Sequence, residues 1–248
     1  MLDAVDQVSN LVQLGARFDI DQGTLVLGLR DLTFRVTSWE EIYILDEIFV
    51  RQTYGFQPSG DFVTIDIGSN AGFSSLYFSS MKQCKAVYAF ELSADTYKMA
   101  LQNLEINACA SKIKHYNVGL GYPAREMELF YNKDLKGGFG IGHTNKLHPG
   151  DRPVKVQIVD PKHHIEQIFN HHEERVILKM DCEGAESEIL NRLFEIDLLS
   201  RMSVCMIEWH GPTKEPIISI LHLAGFAVIS TSFDDNSRGL VYAFNSNR

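Results

Sequence analysis

Apolar positions at Leu2, Val5, Val8, Leu11, Val12 and Leu14 recur three and four apart, which predicts an amphipathic helix over 1–14. Residues 16–36 alternate in polarity around Asp21-Gln22-Gly23, the pattern of short strands joined by a turn. Trp39, Ile42, Leu45, Ile48 and Phe49 then share one stripe of a helix over 39–53. These elements read as an N-terminal α/β extension, residues 1–57, packed on the rest of the chain and closed by the breaker Gln57-Pro58-Ser59-Gly60. From 61 the pattern changes. Apolar runs at 61–67, 85–91, 112–118, 175–181 and 203–209 predict strands, and helical patterns over 72–81, 93–107, 184–194 and 214–224 alternate with them. Ser93 and Asp95 can cap the second of these helices. Residues 126–131 and 153–159 alternate as a hairpin would, within an insertion at about 122–160. The segments 226–231 and 239–245 read as strands around the turn cluster 234–239. Alternation of β and α predicts an α/β fold, doubly wound and mostly parallel, with an antiparallel C-terminal strand pair. The main domain is expected to run over 58–248.

In open α/β sheets ligands bind beyond the carboxyl ends of the strands. The residues that close each strand are therefore expected on one rim: Asp66 and Gly68, Glu91, Asn117 and Val118, Asp181 and Glu183, Glu208 and His210. The first strand runs into Gly68-Ser69-Asn70-Ala71-Gly72 and directly into a helix. Such a turn lets a ligand approach backbone N–H groups, since glycine has no Cβ to hold it off. Glu91, nineteen residues after Gly72, closes the next strand at the spacing where an acid accepts hydrogen bonds from ribose hydroxyls. The loop is neither G-x-G-x-x-G, since position 70 is Asn, nor a P-loop, since no Gly-Lys-Ser/Thr comes after it. A pyrophosphate cofactor fits it less well than S-adenosylmethionine. Asp66 is expected near that cofactor's ammonium, or else as an anchor of the turn. Gly68, Asn70, Gly72, Glu91, Asn117, Val118 and Asp181 complete the expected cofactor set.

Composition narrows the class. A net charge of −9 repels nucleic acid on average, and no Lys/Arg-rich run offsets it. The four cysteines, Cys84, Cys109, Cys182 and Cys205, form no C-x-x-C pair and read as free thiols, which fits a cytoplasmic protein. The first residues have no basic n-region, and no apolar run approaches the ~20 residues that cross a bilayer. Neither a signal peptide nor membrane attachment is expected.

The blocks Asp66-Ile-Gly-Ser-Asn-Ala-Gly72, Phe90-Glu91, Asn117-Val-Gly-Leu120 and Leu178-Lys-Met-Asp-Cys-Glu-Gly-Ala-Glu186 together resemble the FkbM-type methyltransferases over about 61–210. The Lys-x-Asp-x-Glu-Gly-Ala-Glu block is fairly specific to that family; the glycine loop is shared by most class I methyltransferases. The resemblance implies a Rossmann-like fold and S-adenosylmethionine-dependent O-methylation, typically of sugar or natural-product hydroxyls.

Methyl transfer from a sulfonium is an in-line displacement, so alignment matters most, and a general base helps as an alcohol loses its proton. The catalytic candidates are His210, Asp181 and Glu183. His210 has the intrinsic pKa nearest 7, its alternative role being a loop cap. Glu183 has as its alternative complementing the next helix's N-terminus. Lys179, inside a central strand, needs a carboxylate neighbour, with Glu208 or Asp181 expected. No Asn/Asp-Pro-Pro-aromatic block closes the fourth strand, which argues against base N-methylation and leaves a small-molecule or glycan acceptor. The pairs His163-His164 and His171-His172 read as a solvated helix face, with no H-E-x-x-H around them. No metal is assigned, although the rim acids Asp181, Glu183 and Glu208 keep a catechol-type magnesium site open. Gly137–Gly142 reads as a flexible lid or hairpin tip, with His143, Lys146 and His148 beside it. Two competitors share the fold: a nicotinamide-dependent oxidoreductase, disfavoured by the missing third glycine and the absence of Tyr-x-x-x-Lys, and a catalytically silent cofactor-binding module.

Overall fold

The computed structural model describes residues 4–143, 148–233 and 237–245. The N-terminal extension begins with α1 (Ala4–Gln13) and a three-stranded antiparallel meander, β1 (Arg17–Asp21), β2 (Thr24–Leu29) and β3 (Leu32–Val36). α2 (Trp39–Leu45) comes next and widens into a looser turn over Asp46–Val50. Ser38 and Glu41 close its start as a reciprocal capping box.

The alternating region yields β4 (Phe62–Ile67), α3 (Phe73–Ser80), β5 (Cys84–Phe90), α4 (Ala94–Glu105) and β6 (Ile113–Tyr116). The insertion holds β7 (Gly119–Leu120), β8 (Arg125–Tyr131) and β9 (Arg152–Val159), with β8 and β9 paired antiparallel as expected and β7 parallel to β9. Then come α5 (Pro161–His171), β10 (Arg175–Met180), α6 (Glu186–Glu195), β11 (Val204–His210), α7 (Lys214–Leu223), β12 (Phe226–Ser230) and β13 (Arg238–Asn245). Residues 234–236 of the expected terminal turn, and Lys146, lie outside the described residues.

Seven strands form the central sheet in the order β6-β5-β4-β10-β11-β13-β12. β13 is antiparallel to both of its neighbours and breaks an otherwise parallel sheet. The chain winds outward from β4 in one direction and from β10 in the other, so the strand order reverses between them. Such a switch point leaves a crevice at the carboxyl ends of the two strands.

Both faces of the sheet are covered, which is why its strands read as continuous apolar runs rather than alternating ones. The period-2 pleat sorts their side chains into two cores. Val63, Ile65, Tyr88, Phe90, Leu178 and Met180 pack with Ile189, Leu193 and Ile217 of α6 and α7. Phe62, Val87, Ala89 and Ile177 pack on the other face with Phe73 and Phe78 of α3 and with Leu11, Phe34 and Phe49 of the extension. The Phe34 ring lies 5.4 Å from both Phe49 and Phe73. Polar contacts fix the same junction: Asn103 and Asn107 (α4 and the turn after it) accept hydrogen bonds from the N–H groups of Arg35 and Thr33 on β3, at 2.7 and 2.9 Å. The extension is therefore continuous with the core beneath the crevice.

Among the described residues no helix is long and apolar enough to cross a membrane. All four cysteines are free thiols, with Cys84 and Cys205 buried.

Candidate active site

β4 ends at Asp66-Ile67, and the chain turns at Gly68 with φ +77°. A Cβ there would collide with the carbonyl of Asp181, because the turns after β4 and β10 lie against one another. Glycine is required by both the backbone conformation and the space. Asn70 is also left-handed, at φ +50°. Gly72 is left-handed too, but its neighbours are Leu104 and Ala100; it serves the packing of α3 on α4 and lines neither of the two cavities at the strand ends.

Beneath this turn lies a buried ion pair. Lys179 and Asp66 are direct partners in the β4–β10 register and point to the same face. The ammonium is 3.2 Å from Asp66 Oδ1 and donates to the Gly68 carbonyl at 2.6 Å. The hydroxyls of Ser74 and Ser75 donate to Asp66 Oδ2 at 2.7 and 2.6 Å. The partner of Lys179 is thus Asp66 rather than the expected Glu208 or Asp181, and the register is the reason. Asp66 itself lines neither cavity; it holds the Lys179 ammonium beneath the glycine turn, the anchoring role expected as its alternative.

Two cavities open above the strand ends. The smaller, about 60 Å³, lies between Glu91, Leu92, Val118, Leu120, Phe139 and Ile141. Beside these apolar walls stands the Glu91 carboxylate, which is 7 % exposed and accepts from the N–H groups of Asn70 and Ser93 at 2.9 and 2.8 Å. Burial pushes the Glu91 pKa up to about 7, against the lowering pull of those N–H groups. Asn117 does not line the cavity; its amide donates to the Glu91 and Leu92 carbonyls and shapes the turn that carries Glu91.

The larger cavity, about 780 Å³, is bounded by α2 and the turn after it (Glu40, Tyr43, Glu47), by Tyr54, and by Asp181, Glu183, Glu208, His210 and Arg238. The two cavities share Gly68, Asn70, Gly137, Asp181 and Glu183 as a common wall.

His210 closes β11 and sits among carboxylates. Its Nδ1 is 3.0 Å from Glu186 Oε1, and its Nε2 is 3.2, 3.6 and 4.0 Å from oxygens of Glu183, Glu208 and Asp181. Burial alone would lower the imidazole; Glu183, Glu186 and Asp181 override it and hold the pKa up at about 11. In this state the ring carries a proton at neutral pH, so the near-neutral base expected of His210 is replaced by an imidazolium. Burial raises Asp181 and carries Glu208 well above the ordinary carboxylate range. Tyr54 donates to Asp181 Oδ2 at 3.4 Å, and the Lys179 ammonium lies 5.4 Å from the Tyr54 ring.

The glycine-rich tip of the insertion is tied down at both ends. Lys136, fully buried, pairs with Glu41 at 3.1 Å, and Gly137 N–H donates to Glu40 at 2.9 Å. Gly142 N–H donates to the Glu183 carbonyl at 2.8 Å. A Cβ at Gly140 would collide with Glu183. The segment lies in the β8–β9 connection, where a lid or hairpin tip was expected, and is pinned as a strap in which Gly137, Gly140 and Gly142 permit close approach. His148 lies on the exposed hairpin tip. Two histidines of the paired runs are accounted for by packing: His164 stacks edge-on to Phe90 and Tyr116, and His172 Nε2 is 2.8 Å from the Tyr88 hydroxyl.

Sequence reasoning missed Glu40, Tyr43, Glu47, Tyr54, Glu186 and Arg238. Glu186 was legible in principle, because it lies in the Asp181–Glu186 block and opens α6. Glu40, Tyr43, Glu47 and Tyr54 come from the extension, whose pattern showed only amphipathic or alternating stretches, and Arg238 from the turn cluster 234–239.

The family described as "Methyltransferase FkbM domain" matches residues 66–228. The chain belongs to the FkbM methyltransferase family. S-adenosylmethionine is its cofactor, and the crevice sets an apolar slot beside a buried carboxylate, Glu91. No curated protein matches the chain in sequence. Among solved structures, methyltransferase FkbM from Methylobacillus flagellatus KT superposes with a TM-score of 0.53 at 14% identity, over 82% of this chain and 50% of that one. The METTL16 MTase domain gives 0.48 at 15% identity, over 98% and 92%. A protein of the NADB-Rossmann superfamily from Streptococcus agalactiae gives 0.46 at 13%, over 79% and 66%. The match thus spans half the length of the FkbM structure.

Proposed function

We propose that this chain transfers a methyl group from S-adenosylmethionine to a hydroxyl of a sugar, glycan or small natural product. The observation that carries this reading is the common wall of the two cavities. A nucleoside lying against Glu91 and Val118 directs the rest of the cofactor past Gly68 and Asn70 toward Asp181, where the acceptor cavity begins. As the structure stands the smaller cavity is tighter than a nucleoside, so Phe139 and Ile141 must yield when it fills.

The cofactor supplies an activated methyl group on a sulfonium. The chain's own residues do the rest. Glu91 accepts from ribose hydroxyls with the lone pairs not used by Asn70 and Ser93. The acceptor cavity has the volume of a small-molecule site, and its carboxylates and tyrosines present hydrogen-bond partners to a polyhydroxyl ligand. When the acceptor's oxygen forms its new bond to carbon, its proton must leave. Asp181, which lines the larger cavity and whose carboxyl burial raises above the ordinary range, is the group that would take it. His210 lies within 4.0 Å of Asp181 and Glu208 and sets their charge and orientation.

Thermal melting with S-adenosylhomocysteine, with NAD and with neither tests the cofactor. Saturation at 100 times the dissociation constant adds about 2.7 kcal/mol, a shift of roughly 5–10 °C at this size. A shift with NAD alone would overturn the reading. With a responsive hydroxyl acceptor in hand, His210→Ala should lower turnover while S-adenosylhomocysteine still binds; undiminished turnover removes the cluster from the chemistry.

A further inference from the structure

We propose that Asp181, Glu183 and His210 bind one divalent metal ion of the Mn²⁺ kind at the wall shared by the two cavities. One oxygen from each carboxylate and one ring nitrogen of the histidine lie within 4.8 Å of one another. A single ion reaches three such atoms with small side-chain adjustments.

Three features separate this cluster from an ordinary acidic patch. The first is how the histidine is held. Its Nδ1 is 3.0 Å from Glu186 Oε1, and Glu186 is fully buried and fixed in turn by the N–H of Gly184 at 3.1 Å. A carboxylate on one ring nitrogen is the arrangement that fixes the tautomer of a metal-binding imidazole and presents the other nitrogen outward.

The second is that other nitrogen. Nε2 is buried and makes no hydrogen bond of good geometry, although Glu183, Glu208 and Asp181 each bring an oxygen to within 4.0 Å of it. A nitrogen buried among three carboxylate oxygens, ion-paired with Glu183 at 3.2 Å, is positioned for a cation at their centre, which takes the place of the proton that Nε2 carries in the ion-free chain.

The third is how the two carboxylates are presented. Tyr54 donates to Asp181 Oδ2, while Asp181 Oδ1 is the oxygen nearest His210. Glu183 is held at φ +54°, a left-handed conformation that a non-glycine residue adopts only at a cost. The Gly142 N–H locks that conformation through the Glu183 carbonyl. The strap thus fixes the turn that carries Glu183 beside the ring.

The donor set selects the ion. Carboxylate oxygens suit hard cations and the imidazole suits transition metals; Mn²⁺ accepts both. Three protein ligands leave open positions facing the 780 Å³ cavity. Resting on the methyl-transfer reading, the ion would take an acceptor hydroxyl there, orient it and make its proton easier to lose. The ion's charge would also offset the carboxylates that crowd this wall.

The test is titration of the chelator-stripped full chain with MnCl₂, followed by the electron paramagnetic resonance signal of free Mn²⁺. S-adenosylhomocysteine binding is measured on the same samples. The expected result is one Mn²⁺ per chain. Glu183→Gln and His210→Gln should each weaken it at least about tenfold, and Glu186→Gln should weaken it about 10–100-fold through the lost orientation of the ring. Retained S-adenosylhomocysteine binding shows that each variant folds. Absence of stoichiometric Mn²⁺ binding in the unmodified chain overturns the proposal, as does equal affinity in every variant that still binds S-adenosylhomocysteine. Loss of S-adenosylhomocysteine binding by the unmodified chain is a different failure, which strikes the methyltransferase reading instead.

Discussion

Lys179→Met tests whether the Asp66–Lys179 pair supports the cofactor turn. Methionine keeps most of the length of the lysine stem and removes the ammonium. Lys179 is 3% exposed at its side chain and Asp66 is fully buried, so solvent cannot take the place of the lost charge. Asp66 would keep the two serine hydroxyls at 2.7 and 2.6 Å but would stand as an uncompensated buried anion, and the Gly68 carbonyl would lose its 2.6 Å donor. Removing one partner of a buried pair costs about 3–5 kcal/mol, much of it the penalty on the charge left behind. Urea unfolding at neutral pH, followed by circular dichroism, should therefore show a loss of that size. Asp66→Asn on the same background removes the orphaned charge and should recover at least ~1 kcal/mol, since deleting both members of a buried pair is far cheaper than deleting one. S-adenosylhomocysteine affinity should fall in the single variant, because the Gly68 carbonyl anchors the turn. A loss below ~1 kcal/mol, or a double variant no more stable than the single one, would refute the reasoning.

Two further outcomes are expected from the geometry. Glu91 ionises near pH 7 in the folded chain, well above an unfolded glutamate, so it withdraws stability as pH rises from about 4.5 through 7; ribose hydroxyls favour its charged form. S-adenosylhomocysteine binding measured by calorimetry should therefore tighten between about pH 6 and 8, and Glu91→Ala should weaken it by ~1–3 kcal/mol and flatten that dependence; unchanged affinity would remove Glu91 from the site. Phe34→Ala, which opens a hole between β3, the turn after α2 and α3, should cost about 3–5 kcal/mol in a single cooperative transition, and a separate early transition of the extension would show that it is not part of the core.

The order of the elements, the parallel sheet and the strand ends that line the crevice could all be read from the amino-acid pattern. These are local matters. Apolar runs of strand length alternating with helical stripes leave few topologies, and a crevice at a switch point then results from chain winding. The block from Asp181 to Glu186 and the pair Gly68 and Glu91 were legible for the same reason: each lies beside a strand end. Partnership, by contrast, came only with the folded chain. Lys179 pairs with Asp66 because strand register sets them opposite, and no feature of either strand's sequence encodes the register of the other. His210 became an imidazolium because carboxylates from the turn after β10, from α6 and from β11 itself converge on it, which no single-residue pKa anticipates. Glu40, Glu47 and Tyr54 joined the larger cavity because the extension folds over the crevice, and amphipathic periodicity tells which face of a helix is covered but not by what. The glycines of the 137–142 segment looked like flexibility in the sequence; the close approach of Glu183 to Gly140 and Gly142, and of Glu40 to Gly137, shows that these three are there for space.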